Sequence, residues 1–148
     1  MIDHVWTVVC SRAVIDRESN NVSLQNIIEQ INIRGEPIPD RVVAVQLEVV
    51  TLWVRADFDV PSQATTRLTF LSPSGNVLGS FESDIDVSEY ERFRARVKFE
   101  GLLMPEPGRY AFRMELKNKG ESEWHEVATI PLKIVFVSPE REPEQARE

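Results

Sequence analysis

The chain has 148 residues, 42% of them hydrophobic and 28% charged, which suits one globular domain with a substantial core. With 24 acidic against 17 basic residues the net charge is −7, which argues against general nucleic-acid binding, since that relies on Lys and Arg to neutralise phosphates. A single cysteine cannot form an internal disulfide, and no apolar run approaches the roughly 20 residues of a membrane span.

The first segment, MIDHVWTVVC, lacks the basic start and long apolar core of a secretory signal, and Cys10 comes too early for a lipoprotein signal. The expectation is a cytoplasmic protein. A strand running to Asp16 is followed by RESNN, a compact polar turn. In SLQNIIEQI, Leu24, Ile27, Ile28 and Ile31 fall at helical spacing with Ser23 as an N-cap. Four isoleucines between positions 27 and 33 favour a pleated surface instead. A hairpin returning from Val22 to Ile33 is the favoured reading, with strand against helix left open for residues 24–31.

GEPIPD at 35–40 breaks regular structure. Val43, Val45, Leu47 and Val49 then alternate with smaller or polar residues, and Leu52 and Val54 follow in the opposite phase, as a β-bulge would produce. SPSGN at 72–76 is a turn with Gly75 where φ is expected to be positive. In RFRARVKF, Phe93, Ala95, Val97 and Phe99 oppose Arg92, Arg94, Arg96 and Lys98. PEPG at 105–108 is a further break before RYAFRMELK, where Tyr110, Phe112, Met114 and Leu116 share a face. NKGE closes a hairpin, and Ile130, Leu132, Ile134 and Phe136 form the last stripe. About eight strands with frequent turns predict an all-β, antiparallel, immunoglobulin-like sandwich over residues 1–137. The charged segment 138–148, with two prolines and one apolar residue, is expected to be disordered.

A cysteine nucleophile needs a base within hydrogen-bond reach. His4, on the same phase of a straight strand, would lie roughly 20 Å from Cys10, and His125 sits on a late strand, so Cys10 is read as core packing. No zinc motif occurs. The pairs Asp57 and Asp59, and Asp84 and Asp86, are the candidates for calcium at strand ends, a role second to plain solvation. The row Arg92, Arg94 and Arg96 is the candidate interaction surface, or else pairs with acids such as Glu82 and Asp84 on a neighbouring strand. Trp6, Trp53 and Trp124 could form a sugar platform, but are read chiefly as packing. No phosphate-binding loop, dinucleotide fingerprint or nucleophile elbow occurs, so neither a cofactor nor catalysis is expected.

LLMPEPGRYAFRMEL resembles the opening of a late strand in immunoglobulin-like and fibronectin-like sandwiches. The resemblance implies that Tyr110 bonds back to the preceding turn. More broadly, four short features resemble an uncharacterised bacterial family of small all-β domains: Cys10 with Asp16, SLQNI at 23–27, SPSG at 72–75, and GRY at 108–110, which contains Gly108. This implies a sandwich fold and no reaction, since that family has no assigned activity. The functional expectation is a non-catalytic structural or protein-interaction module, pairing with another protein or a second copy, with neither nucleic acid nor membrane as partner. A domain binding carbohydrate or calcium is the alternative, and a cysteine hydrolase the remote one.

Overall fold

Period-two alternation of apolar residues gives strands throughout the computed structural model, which describes residues 1–138. The expected disorder of the C-terminal segment falls on residues 139–148, outside the described residues. The strands are β1 (Ile2–Ile15), β2 (Val22–Ile27), β3 (Gln30–Arg34), β4 (Val42–Val43), β5 (Leu47–Arg55), β6 (Gln63–Leu71), β7 (Val77–Asp86), β8 (Arg92–Phe99), β9 (Leu102–Leu103), β10 (Gly108–Asn118) and β11 (His125–Val137). Sheet I has the order β2-β1-β5-β8 and sheet II the order β3-β11-β10-β6-β7, while β4 and β9 form a short ribbon. The architecture is a β-sandwich. Its strands number more than the eight expected, because the ribbon is too short to leave a sequence signal and the SLQNIIEQI segment divides in two.

Between the sheets lie Trp53, Phe70, Phe112, Tyr110, Leu47, Val49, Leu132 and Ile134, all at most 2% exposed. Fully burying each such side chain contributes roughly 1.5–3 kcal/mol. Phe70 stacks on Phe112 and Tyr110, and Phe99 tilts against Phe112. Leu47, Val49, Tyr110, Phe112, Leu132 and Ile134 come from the alternating faces legible in the sequence, whereas Trp53 sits in the phase opposite Leu52 and Val54 and Phe70 in a strand with no such stripe.

Three details depart from the expected pattern. The bulge anticipated within residues 49–52 lies instead in the facing strand β1, where the register shifts between His4 and Trp6. Leu52 and Val54 simply share the outer face of β5 with Glu48 and Val50. Secondly, the sandwich is not wholly antiparallel, since β3 runs parallel to β11.

Thirdly, the hairpin returning from Val22 ends at Ile27 rather than Ile33. Ile28 donates its amide to Val9 of sheet I, while the Glu29 carbonyl accepts from Lys133 of sheet II. One extended segment therefore leaves one sheet and joins the other across two residues. The change of face between β2 and β3 explains the helical spacing. Leu24 packs beside Cys10 on sheet I, whereas Ile28, Ile31 and Ile33 pack on the main core.

The β1–β2 hairpin bends over the outer face of sheet I. A straight β1 would carry its turn roughly 30 Å past Trp6, at about 3.3 Å per residue. Instead the Asn20 carbonyl accepts from Arg94 Nη2 of β8, the far edge of the same sheet, at 2.8 Å. The hairpin includes Asn26, whose φ of 52° is left-handed. It encloses a second small core of Cys10, Ala13 and Val50, flanked by Trp6, Val22 and Leu24.

Candidate functional site

Cys10 is fully buried under this folded-back hairpin. Burial is the main cause that pushes its thiol above the ordinary value, with the Glu48 carboxylate adding to the effect. The bulge in β1 turns His4 away from it. His4 meets Trp53 edge-to-face at 5.2 Å, and its Nε2 lies 2.6 Å from Thr7 Oγ1. The shared phase expected for Cys10 and His4 is thus broken by the bulge. His125 is bonded to Glu121 Oε2 at 3.1 Å on an exposed turn. The fold does not assemble the cysteine and either histidine into one site.

Sheet I carries the arginine row on its outer face. Arg92, Arg94 and Arg96 do not face Glu82 and Asp84 on a neighbouring strand, because β8 pairs with β5 and those acids lie on β7 of the other sheet. Arg96 bonds Glu48 Oε1 through Nε at 2.9 Å and the Ala13 carbonyl through Nη2 at 3.2 Å. Glu48 Oε2 accepts the Ala13 amide at 2.6 Å. Burial opposes ionisation of Glu48, but that amide and the Arg96 guanidinium outweigh it and hold the carboxyl below its usual range. Arg94, Arg96 and Glu48 therefore pin the hairpin down. Glu48 was detectable in sequence as the only charge in the apolar run VVAVQLEVV.

Where hairpin and sheet meet, a cleft of about 740 Å3 opens. Trp6, Asn20, Asn21, Tyr90, Arg92 and Arg94 line it. Tyr90 is exposed and Trp6 half-buried. The three tryptophans lie apart and form no common platform: Trp53 is in the core, and Trp124 lies on the outer face of sheet II. There Trp124 covers Arg67, 4.4 Å from its ring centre, and Arg67 in turn holds Glu115 through two bonds of 3.0 Å.

The aspartate pairs fall at one end of the sandwich. Arg55 ties their loops together by donating to the carbonyls of Phe58, Val87 and Ser88. Three of the four carboxylates hold local bonds. Asp57 accepts the Asp59 amide, Asp86 accepts the Ser88 amide and Gln63 Nε2, and Asp84 accepts from Thr65 Oγ1. Among the described residues no group of three or more His, Cys, Asp or Glu comes together as a metal would require.

At the opposite corner Tyr110 Oη donates to the Glu106 carbonyl at 2.5 Å and accepts the Glu106 amide at 3.1 Å. Burial raises its phenol above the ordinary value. Gly108 has φ +135°, and a Cβ there would lie 3.0 Å from Pro73 Cγ. Gly75, at φ +87°, closes the turn that carries Pro73. These three residues shape the corner.

One side of the sandwich is partly open, the β4–β9 ribbon lying beside Leu78, Phe81 and Phe99 at one end of it. The last strand of sheet I on that side is β8 and of sheet II β7, so both present unpaired backbone among the described residues. Phe81 of β7 and Phe99 of β8 meet edge-to-face across the gap at 5.2 Å, with Phe81 still 46% exposed. On the other side, β2 and β3 are short, six and five residues, and each covers only part of its neighbour.

No protein-family model and no curated protein matches the chain. Among solved structures, the chain is similar to part of a family 123 glycoside hydrolase from Clostridium perfringens, with 8% identity and a TM-score of 0.46, over 93% of this chain and 28% of that one. The extracellular domain of BT3049 from B. thetaiotaomicron is similar at 15% identity and a TM-score of 0.37, over 93% and 15% of the two chains. The CooA pilin subunit from enterotoxigenic Escherichia coli has 11% identity and a TM-score of 0.34, over 88% and 99%. This chain spans well under two thirds of the first two proteins. Likenesses of this degree say nothing of what it does.

Proposed function

We propose that this chain is a non-catalytic interaction module that binds another polypeptide along its open β7–β8 side. The observation that carries this reading is the pair of long edges, ten residues in β7 and eight in β8, left unpaired among the described residues. Long unpaired edges template pairing with an added strand, and soluble proteins ordinarily shorten or cover them. The distribution of lysines provides a test. The chain has Lys98 on β8, Lys117 and Lys119 near the end of β10, and Lys133 on β11. Amine cross-linking of the full chain to its captured partner is expected to join chiefly through Lys98. Cross-links confined to the other three lysines would retire the reading.

A second reading rests on the cleft beside the hairpin, which sets Trp6 and Tyr90 next to Arg92, Arg94 and two asparagines. Aromatic faces with planar polar groups suit a carbohydrate. Titration with a panel of oligosaccharides is expected to shift tryptophan emission, and Trp6→Phe to abolish the shift. Unchanged emission across the panel removes this reading.

A further inference from the structure

We infer that the partner on the open side is a second copy of this chain, with β7 of each copy pairing with β8 of the other about a two-fold axis parallel to the strands. The inference rests on the interaction-module reading and names its partner. Strand direction comes first. The end of β7 and the start of β8 are tied together by Arg55, which bonds the Val87 and Ser88 carbonyls while its own amide reaches the Glu91 carbonyl. At the other end of β8, Phe99 touches Phe81, which lies midway along β7. The two edge strands therefore run antiparallel on the same side of the molecule, with Phe81 level with Phe99.

A two-fold axis along the strands preserves both direction and height. It brings β7 of one copy antiparallel to β8 of the other, with Phe81 opposite Phe99. One step along each strand from that pair sets Glu82 opposite Lys98, and further steps of two set Asp84 opposite Arg96 and Asp86 opposite Arg94. These rows lie on matching faces. Ile85 points into the core, so Glu82, Asp84 and Asp86 take the outer face of β7; Phe99 points inward and Val97 packs on the core, so the cations take the outer face of β8. The same rotation makes the outer face of sheet II continuous with the outer face of sheet I in the partner. Every acid on one edge meets a cation on the other.

The competing two-fold, perpendicular to the sheets, would join β7 to β7 and β8 to β8. It would set acids against acids and cations against cations, which is destabilising when the residues lie directly opposite. The charge rows therefore select one closed, isologous dimer. Among the described residues Glu82, Asp84 and Lys98 are in no ion pair within the chain, whereas Arg96 already holds Glu48 and Arg94 the Asn20 carbonyl. Glu82 with Lys98 is therefore the contact that dimerisation newly satisfies. Pairing would also shelter the exposed ring of Phe81.

Sedimentation of the full chain from micromolar concentration to about 1 mM is expected to show a monomer–dimer equilibrium that weakens as salt rises. Glu82 and Lys98 are both exposed, but Glu82 lies opposite Arg67 and Lys98 opposite Glu48 within their own sheets. The unfolding midpoint of each variant is therefore measured alongside, to separate an intrachain effect from a dimer effect. Glu82→Lys and Lys98→Glu are each expected to weaken dimerisation about tenfold, since the contact occurs twice per dimer. The double variant, which exchanges the two charges, is expected to restore it. A dimer indifferent to either single reversal, or one not rescued by the exchange, overturns the pairing. If the parent chain stays monomeric throughout and Lys98 still cross-links to a different protein, self-pairing fails while the module reading stands. If it stays monomeric and Lys98 reaches no partner, both fail.

Discussion

Tyr110 shows how one hydroxyl can order a corner. Its oxygen both receives the Glu106 amide and donates to the Glu106 carbonyl, so a single side chain satisfies two backbone groups of the segment leading into β10. Gly108 lets that segment lie against Pro73 where a Cβ would intrude. Tyr110→Phe keeps the ring packed on Phe70 and removes only the hydroxyl. The expected loss is about 1–2 kcal/mol, the cost of unmaking a partly buried bond pair. Urea unfolding at neutral pH should show a lower midpoint with an unchanged slope. An unaltered midpoint would mean that the bonds are incidental to the corner.

At the level of elements, the sequence was informative wherever structure is local. Alternation in RFRARVKF and RYAFRMELK identified which residues enter the core, because a strand's two faces are set by its own period. The turns at 72–76 and 118–121 were legible from Gly75 and Gly120, both of which have positive φ. Pairing was another matter. Nothing near Arg96 says that its acid is Glu48, 48 residues earlier, rather than one on the strand just before it. The bulge between His4 and Trp6 was equally hidden, since its phase change becomes visible only against β5. The transfer from β2 to β3 left a trace, but an ambiguous one. Two strand halves packed on different cores give a spacing that mimics a helix. Cys10 shows the consequence for site reading. Its burial was expected, but the cover is a hairpin folded over the outside of a sheet, not the space between the two sheets.

For the whole molecule, the buried titratable groups set a stability profile with two limits. His4 has a pKa held below the ordinary 6.5, burial being the cause that prevails over a bond the ring donates to the Trp6 backbone. Glu48 and Glu115 are held below the ordinary 4.5: Glu48 by the Ala13 amide and Arg96 against its burial, Glu115 foremost by Arg67. For all three the unfolded chain binds protons more readily, so the free energy of unfolding, and with it stability, rises with pH across each interval. The His4 contribution is complete above 6.5 and fades below it; those of Glu48 and Glu115 are complete above 4.5 and fade as pH falls further. Cys10 and Tyr110 have pKa values raised above the ordinary 9.0 and 10.0, chiefly by burial, so here the folded chain holds the proton longer. Their contributions are complete below those values and diminish as pH rises through them. Urea unfolding at intervals from pH 3 to 11 is expected to give a plateau between about 6.5 and 9, with losses on both sides. His4→Gln should flatten the step just below 6.5 and leave the deeper acid loss, and Cys10→Ala should delay the alkaline loss until Tyr110 begins to ionise. A profile in which His4→Gln leaves the slope below 6.5 untouched would place that step with another group and count against a neutral His4 packed on Trp53.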